Sequence, residues 1–301
     1  MRAGAALLLA ALAGLALAGC ERRPPPPPSR YVVGEPYSLG GVWSYPREDF
    51  ALVETGFATR LPDRRAGRLT ASNEIFDPDQ LMGAHRTLQL PAILLVRNLA
   101  NGRELRVRVN DRGPAQPGRI LGLSARAAGL LGLTGEGAIP VRIAVDEAPS
   151  RALAGALPSR EAAPLQVAAA PSGAVQREAL PPPPGARQGA GRSAAAGPAP
   201  LPGEEPSRAE LPPNPLPEQV TQYPAEAGRI VIEAGTFFRR DQAQRQATSL
   251  AWAGARVEGF GSGREVQYRV RMGPFPNLAA ADQALAQLRR SGLPDPKLLV
   301  D

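Results

Sequence analysis

Between Glu147 and about Ala227 the chain is built almost wholly from Ala, Pro, Gly, Arg and Ser, including P-P-P-P-G at Pro181 to Gly185. A stretch of this composition lacks the apolar side chains needed to offset the entropy of ordering, so residues 147–228 are expected to be a disordered linker. That expectation divides the 301 residues into two separate stretches, each of which must build its own small core. Clustering of the 34 prolines and 32 glycines, with aromatics at only 5%, points the same way. About eighty such residues have a root-mean-square reach of roughly 50 Å, which makes the segment a tether between the two halves.

The chain opens with a cationic residue, Arg2, then an apolar run from Ala5 to Leu17, then Leu17-Ala18-Gly19-Cys20. Small residues ahead of a cysteine at the end of such a run resemble a bacterial lipobox. The resemblance implies that residues 1–19 are a lipoprotein signal peptide and that Cys20 is lipidated. An ordinary signal peptide with an incidental cysteine is the alternative. A membrane-spanning anchor fits less well, because the run is too short to cross. Glu21 after the cysteine favours, by the same resemblance, an outer-membrane lipoprotein. Cys20 is the only cysteine, so no disulfide forms within the chain. Residues 20–30 include five prolines in a row, Pro24 to Pro28, which form a stiff spacer beyond the anchor. From 31 to 50 the sequence is rich in Tyr and Trp and reads as an extended arm packed on the next domain.

Residues 51–146 read as a mostly β domain. Ala92 to Asn98 and Arg103 to Val109 are strand candidates, the second with Leu105, Val107 and Val109 on one face and Arg106 and Arg108 on the other. Asn101-Gly102 between them suits a tight turn. Ser124 to Leu131 reads as a short helix with Ser124 as N-cap, and Pro140 to Val145 as a closing strand. Ionisable chemistry concentrates here. T-A-S-N-E-I-F-D, A-H-R-T-L and V-N-D-R-G-P bring Glu74, Asp77, His85 and Asp111 into some forty residues, as acid/base candidates, and His85 is the only histidine. No His/Cys cluster has metal-ligand spacing, so neither a metal nor a cofactor is expected. Asp111 and Asp77 also suit turn positions, because each precedes a Gly-Pro or Pro break.

Residues 229–301 hold an internal echo. Val231 to Phe237 precedes a helix-like Arg240 to Ala253, and Val270 to Phe275 precedes Ala279 to Ser291. Strand, G-x-F and helix occurring twice in seventy residues predict a small α+β domain of βαββαβ order with its helices on one sheet face. Alternation sends Ile232 and Ala234 to the helices and leaves Glu233, Arg269 and Arg271 on the open face. The net charge of +7 comes from arginine, with Lys297 the lone lysine. No arginine-rich run or RNA-binding aromatic signature accompanies it, so nucleic acid is not the expected partner.

Together T-A-S-N-E-I-F-D at Thr70 to Asp77, A-H-R-T-L at Ala84 to Leu88, V-R-N-L-A-N-G-R at Val96 to Arg103 and V-N-D-R-G-P at Val109 to Pro114 resemble the rare lipoprotein A family of septal-ring lytic transglycosylases. The resemblance implies a double-psi β-barrel over 51–146. Arg229 to Asp301 resembles a SPOR domain, a module that binds septal peptidoglycan stripped of stem peptides. The implied activity is cleavage of glycan to 1,6-anhydro-MurNAc ends without water. One carboxylic acid protonates the glycosidic oxygen and then takes the proton of the sugar's own 6-hydroxyl. Carried over residue by residue, Asp111 is the acid, with Glu74 next in line and Asp77 in the same groove. His85 orients or polarises, and Arg112 pairs with a carboxylate. Glu233, Arg269 and Arg271 bind glycan. The implied partners are glycan strands, the outer membrane through the anchor, and septal proteins. Two stretches depart from the family pattern. The W-Y-G-x-x-F-x-G-R run is here Gly56 to Arg68 without a Trp-Tyr pair, and the family's D-L-S is Gly122-Leu123-Ser124. Loss of that aspartate leaves a second reading, a non-catalytic septal wall-binding lipoprotein whose expansin-like barrel grips glycan.

Overall fold

The computed structural model describes residues 28–159, 211–226, 228–261, 266–293 and 296–301. Cys20, the signal segment and the middle of the Pro/Ala-rich stretch lie outside them. The arm contributes a hairpin, β1 (Tyr37–Leu39) and β2 (Val42–Ser44). Its two-residue turn puts Gly40 at φ 62° and Gly41 at φ 72°, a doubly left-handed turn that glycine adopts without strain. A β-carbon at Gly40 would also sit 2.2 Å from the Ala115 carbonyl oxygen. The arm is fastened to the following domain by reciprocal backbone bonds between Val32 and Leu90 (2.7 and 2.8 Å) and by Tyr37 Oη donating to Arg86 O (2.9 Å).

Six strands form a closed barrel: β3 (Val53–Arg60), β4 (Met82–His85), β5 (Ala92–Asn98), β6 (Arg103–Asp111), β7 (Leu121–Leu123) and β8 (Ala138–Val145). Their order is β4-β7-β3-β8-β5-β6, and β6 pairs back onto β4. Parallel β3–β7 and β4–β6 pairs interrupt otherwise antiparallel neighbours, the topology of a double-psi barrel. Leu105, Val107 and Val109 point into a core shared with Leu94, Leu121, Val141 and Ile143. Closure leaves the barrel with no bare sheet edge to protect. Helix α1 (Ala125–Leu130) starts at Ser124, whose side chain accepts from Ala127 N.

Of the two arginines expected to share the outer face of β6, only Arg106 stays there. Arg108 is buried beneath the turn from Thr70 to Phe76. Its Nε lies 3.1 and 3.0 Å from the two Glu74 carboxylate oxygens, and Nη2 donates to Oε1 at 2.6 Å. Asn110 Nδ2 adds a fourth bond to Glu74 at 2.8 Å. Burial alone pushes the Glu74 carboxyl up, but these bonds and the Arg108 charge outweigh it and hold the group below the usual carboxylate range.

Order continues past residue 146, where a linker was expected. Helix α2 (Glu147–Ala156) lies on β5, buries Leu153 and accepts Ile93 N on Ser150 Oγ (3.0 Å). The chain then returns to the same barrel. Leu216 enters its core, Glu218 pairs with Arg126, and β9 (Val220–Gln222) adds to β6 opposite Arg103–Leu105. The linker boundaries 147 and 228 are therefore corrected on both sides. Apolar anchors spaced too widely to raise the local hydropathy bind both flanks to the barrel.

The second domain runs β10 (Ile230–Phe237), α3 (Arg240–Ser249), β11 (Arg256–Phe260), β12 (Gln267–Phe275), α4 (Leu278–Arg290) and β13 (Lys297–Val300). Its sheet order is β11-β12-β10-β13, with every pair antiparallel. Ile232 and Ala234 pack with Ala243, Ala247, Leu285 and Leu288 under the helices. Phe57 and Leu99 of the barrel belong to that same apolar cluster, and Arg119 donates to Asp282 of α4 at 2.9 and 2.7 Å. Barrel and second domain thus touch directly.

Replacing Glu74 by Gln is expected to destabilise the barrel by about 3–5 kcal/mol, because the buried Arg108 loses its counter-charge; urea unfolding monitored by circular dichroism reads this. The Glu74 carboxyl is lower in the folded state than in the unfolded one, so its contribution is present above the unfolded value and is lost as pH falls through the folded one. The wild type should therefore lose stability on acidification below about pH 4 more steeply than Glu74→Gln.

Candidate active site

Asp111 ends β6, and the β4–β6 register sets it against Ala84, next to His85. Its Oδ1 accepts from Ala71 N (3.1 Å) and from Arg112 N (2.7 Å), and its Oδ2 pairs with Arg65 Nη2. The two amides belong to the main chain and fix one oxygen. Arg65 ends a surface 3-10 turn (Asp63–Arg65) and reaches the other oxygen across the Phe76 ring, 5.8 Å from its centroid. Oδ2 is thus the oxygen able to exchange its partner.

His85 is buried, and its Nδ1 accepts from Thr87 N (3.2 Å) and Leu88 N (3.1 Å). Two donors at Nδ1 leave the proton of the neutral ring on Nε2. Nε2 lies 3.9 Å from Glu54 Oε2, long for a hydrogen bond but within ion-pair range. Burial pushes the Glu54 carboxyl up, but the neighbouring imidazole, Lys297 and Arg47 together hold it below the usual range. Glu54 was not foreseen, since a Glu in a strand start reads as a solvated charge. Only the fold brings β3 beside the end of β4.

The other candidates take different places. Glu74 is spent on Arg108 and Asn110. Asp77 closes a turn, with Oδ1 accepting from Asp79 N (2.9 Å) and Oδ2 from Gln80 Nε2 (3.0 Å). The Arg112 guanidinium lies between the barrel and the arm. That group donates to the carbonyls of Leu88 and Val33 and clamps the arm onto the barrel.

Gly122 lies on β7 opposite Ala84 and Thr59. A β-carbon there would meet Leu61 Cδ2 at 2.5 Å and Ala84 Cβ at 3.6 Å. Leu61 fills the space with Phe76, Met82 and Ala84, a small apolar cluster separate from the main core. Position 122 thus carries no carboxylate, and the Leu61 side chain packs beside it.

On the open face of the second domain, Glu233 Oε2 lies 3.7 Å from Arg269 Nε and 3.8 Å from Arg271 Nε, so the three do share one surface. It is an ion-pair network more than a bare cationic face. Arg271 also reaches Asp301 (2.8 Å) and Glu258 (3.4 Å), and Arg269 lies over the Phe260 ring (3.5 Å). This surface looks toward the barrel. Between them lies a cleft of about 660 Å³ bordered by His85, Glu54 and Arg119 on one side, Glu233, Arg269, Arg271 and Lys297 on the other, with Trp43 and Tyr45 of the arm at its edge. Asp111 and Glu74 are not among its lining residues. Among the described residues no group of three or more His, Cys, Asp or Glu is placed to hold a metal ion.

Comparison with known proteins agrees with this architecture. The family model described as "Lytic transglycolase" matches residues 53–143, and the SPOR domain model matches residues 226–296. A Yersinia pestis protein named endolytic peptidoglycan transglycosylase RlpA is 40% identical over 102 residues, covering 34% of this chain and 28% of that protein. The Rickettsia bellii protein of the same name is 36% identical over 116 residues, or 38% of this chain and 51% of its own length. The chain thus spans about half the length or less of these first relatives. An Escherichia coli O157:H7 protein of that name aligns over 79% of this chain and 75% of its own length at 28% identity. Among solved structures, the RlpA SPOR domain from Pseudomonas aeruginosa covers 23% of this chain and 96% of its own, at 20% identity and a TM-score of 0.22. A closed double-psi barrel bearing the Thr70–Asp77 and Val109–Pro114 motifs, followed by a domain that matches the SPOR model, makes this chain similar to proteins of the rare lipoprotein A (RlpA) family.

Proposed function

We propose that this protein is a peptidoglycan lytic transglycosylase that cleaves peptide-free glycan at the division septum to 1,6-anhydro-MurNAc ends. The observation that carries the reading is the position of Asp111. It ends β6 beside the end of β4, with Oδ1 anchored by two amides and Oδ2 held only by a surface arginine. An acid for this reaction must release and recover a proton. Neighbouring cations or the imidazole hold Glu74 and Glu54 low, which unsuits them as proton donors near neutrality. Asp77 is committed to its turn. Asp111 is the carboxyl that remains. Once Arg65 gives way to substrate, the freed Asp111 carboxylate takes up a proton from solvent and delivers it to the glycosidic oxygen. The carboxylate then takes the proton from the 6-hydroxyl as that oxygen closes on C1. The Glu54–His85 pair orients the neighbouring sugar, with Nε2–H as donor.

The SPOR domain, through Glu233, Arg269 and Arg271, retains the glycan product or substrate. Lipidated Cys20 holds the chain to the outer membrane on its periplasmic side, where septal proteins are its other partners. The relatives' names and the "Lytic transglycolase" match support the chemistry. Leu61 in the space beside Gly122 favours the second reading, a barrel that only grips glycan. Digestion of purified peptide-free glycan with mass spectrometry for anhydro ends decides between them: wild type yields anhydro ends if the barrel is an enzyme and none if it only binds.

Asp111→Asn should retain the fold by circular dichroism and lower anhydro-product formation by about a hundredfold or more, the usual scale of general acid–base catalysis. Full activity in that variant would remove Asp111 from the role. Gly122→Asp should lower the melting temperature rather than restore activity, because its β-carbon collides with Leu61. The double variant with Leu61→Ala should regain most of the lost stability, as a thermal melt would show. Mass spectrometry of the mature N-terminus should find a lipidated Cys20, and Cys20→Ser should leave the protein unlipidated.

A further inference from the structure

Trp43 and Tyr45 are large aromatics left 62% and 65% exposed, and both border the cleft between barrel and SPOR domain. Single exposed aromatics are common on protein surfaces. These two are placed together by construction. Ser44 between them is buried, and both rings line the same cleft. The hairpin that carries Trp43 and leads into Tyr45 is held from both domains. Arg86 Nη1 donates to Leu39 O (3.1 Å) and lies 3.4 Å from Ser44 Oγ, while Arg289 of α4 donates to Gly40 O (2.9 Å). A ligand stacking on the rings therefore meets a pre-ordered surface and need not order a loop.

The charge of the cleft selects the ligand further. Seven cationic side chains border it against three carboxylates. That excess suits a polymer that offers flat apolar sugar faces and carries regularly spaced negative charge. A glycan without stem peptides is such a polymer, since each MurNAc then exposes its lactyl carboxylate.

We propose that the arm's Trp43 and Tyr45 form a sugar-stacking platform, and that this platform, together with the SPOR face carrying Arg269, Arg271 and Lys297, makes one composite site for an anionic glycan strand across the interdomain cleft. The inference rests on the reading of the protein as acting on peptide-free glycan, and it assigns that glycan a site spanning all three parts of the chain. It also supplies the aromatic surface missing from the Gly56–Arg68 stretch.

The chain has two tryptophans, Trp43 and Trp252, so Trp252→Phe leaves Trp43 as the sole indole reporter. The full chain in detergent micelles, carrying Trp252→Phe, is titrated with peptide-free glycan oligosaccharides while fluorescence and heat are both recorded. The expected result is a saturable change in Trp43 emission that tracks the calorimetric isotherm. Trp43→Ala and Tyr45→Ala in the wild-type background should each weaken binding by about tenfold or more, the scale of an aromatic anchor, with unchanged melting temperature. A neutral N-acetylglucosamine oligomer of equal length should bind more weakly, and the difference should shrink at high salt. Calorimetric binding with flat Trp43 emission, and unchanged affinity in both alanine variants, overturns the platform while leaving the glycan reading intact. Equal affinity for the neutral oligomer overturns the assignment of an anionic occupant. No heat with any glycan overturns the proposal and the functional reading together.

Discussion

The ion pair of Glu74 with Arg108 governs the rest of the candidate site. Two charges inside a barrel wall are costly to desolvate, and this pair is tolerable because four hydrogen bonds fill the carboxylate. Its consequence is positional. Glu74 ties the Thr70–Phe76 turn to β6, and the same turn supplies the Ala71 amide that holds Asp111 Oδ1. Arg108, Asn110 and Asp111 lie on one short stretch of β6, so the buried pair and the Asp111 carboxylate are set by a single piece of backbone. The acidic residues of the motif thus separate into one buried against Arg108 and one held by main-chain amides and Arg65.

Other carboxylates of the barrel are also engaged by neighbouring groups. Glu54 sits against His85 and is influenced by Lys297 from the second domain and Arg47 from the arm. Asp77 satisfies its own turn. The position where the family pattern carries one more acid is apolar here, with Leu61 packed beside Gly122. One carboxylate with an exchangeable partner, Asp111, would fit the proposed intramolecular attack by the substrate's own hydroxyl, which needs a proton carrier and no second protein nucleophile. It fits a double-displacement hydrolase poorly.

Much of the fold was legible because its signals were local. The alternation of Leu105, Val107 and Val109, the Ser124 cap and the repeated G-x-F halves each depend on a few neighbouring residues, and each appears in place. The motif residues were legible as a set, but their roles were not. Whether Glu74 or Asp111 is available for chemistry depends on Arg108 and Arg65, and nothing in the spacing says which arginine will be buried. Glu54 and Leu61 escaped notice because their relevance comes from pairing across the barrel. The ordered flanks of the Pro/Ala-rich stretch were hidden by composition. Ser150, Leu153, Leu216 and Glu218 are isolated anchors in sequence that averages to a linker. Docking of the second domain through Phe57, Leu99 and the Arg119–Asp282 pair is likewise a tertiary fact with no local signature.

The return of the chain to β6 through β9 changes what the long Pro/Ala-rich segment does. A tether gains its effect from length, because its far end carries a domain away from its near end. Here the described residues on either side, up to 159 and from 211, both rest on the same barrel, and the SPOR domain begins only a few residues after β9. The spacing between barrel and SPOR domain is therefore set by the few residues after β9 and by the contacts of Phe57, Leu99 and Arg119, whatever the number of residues between the two flanks.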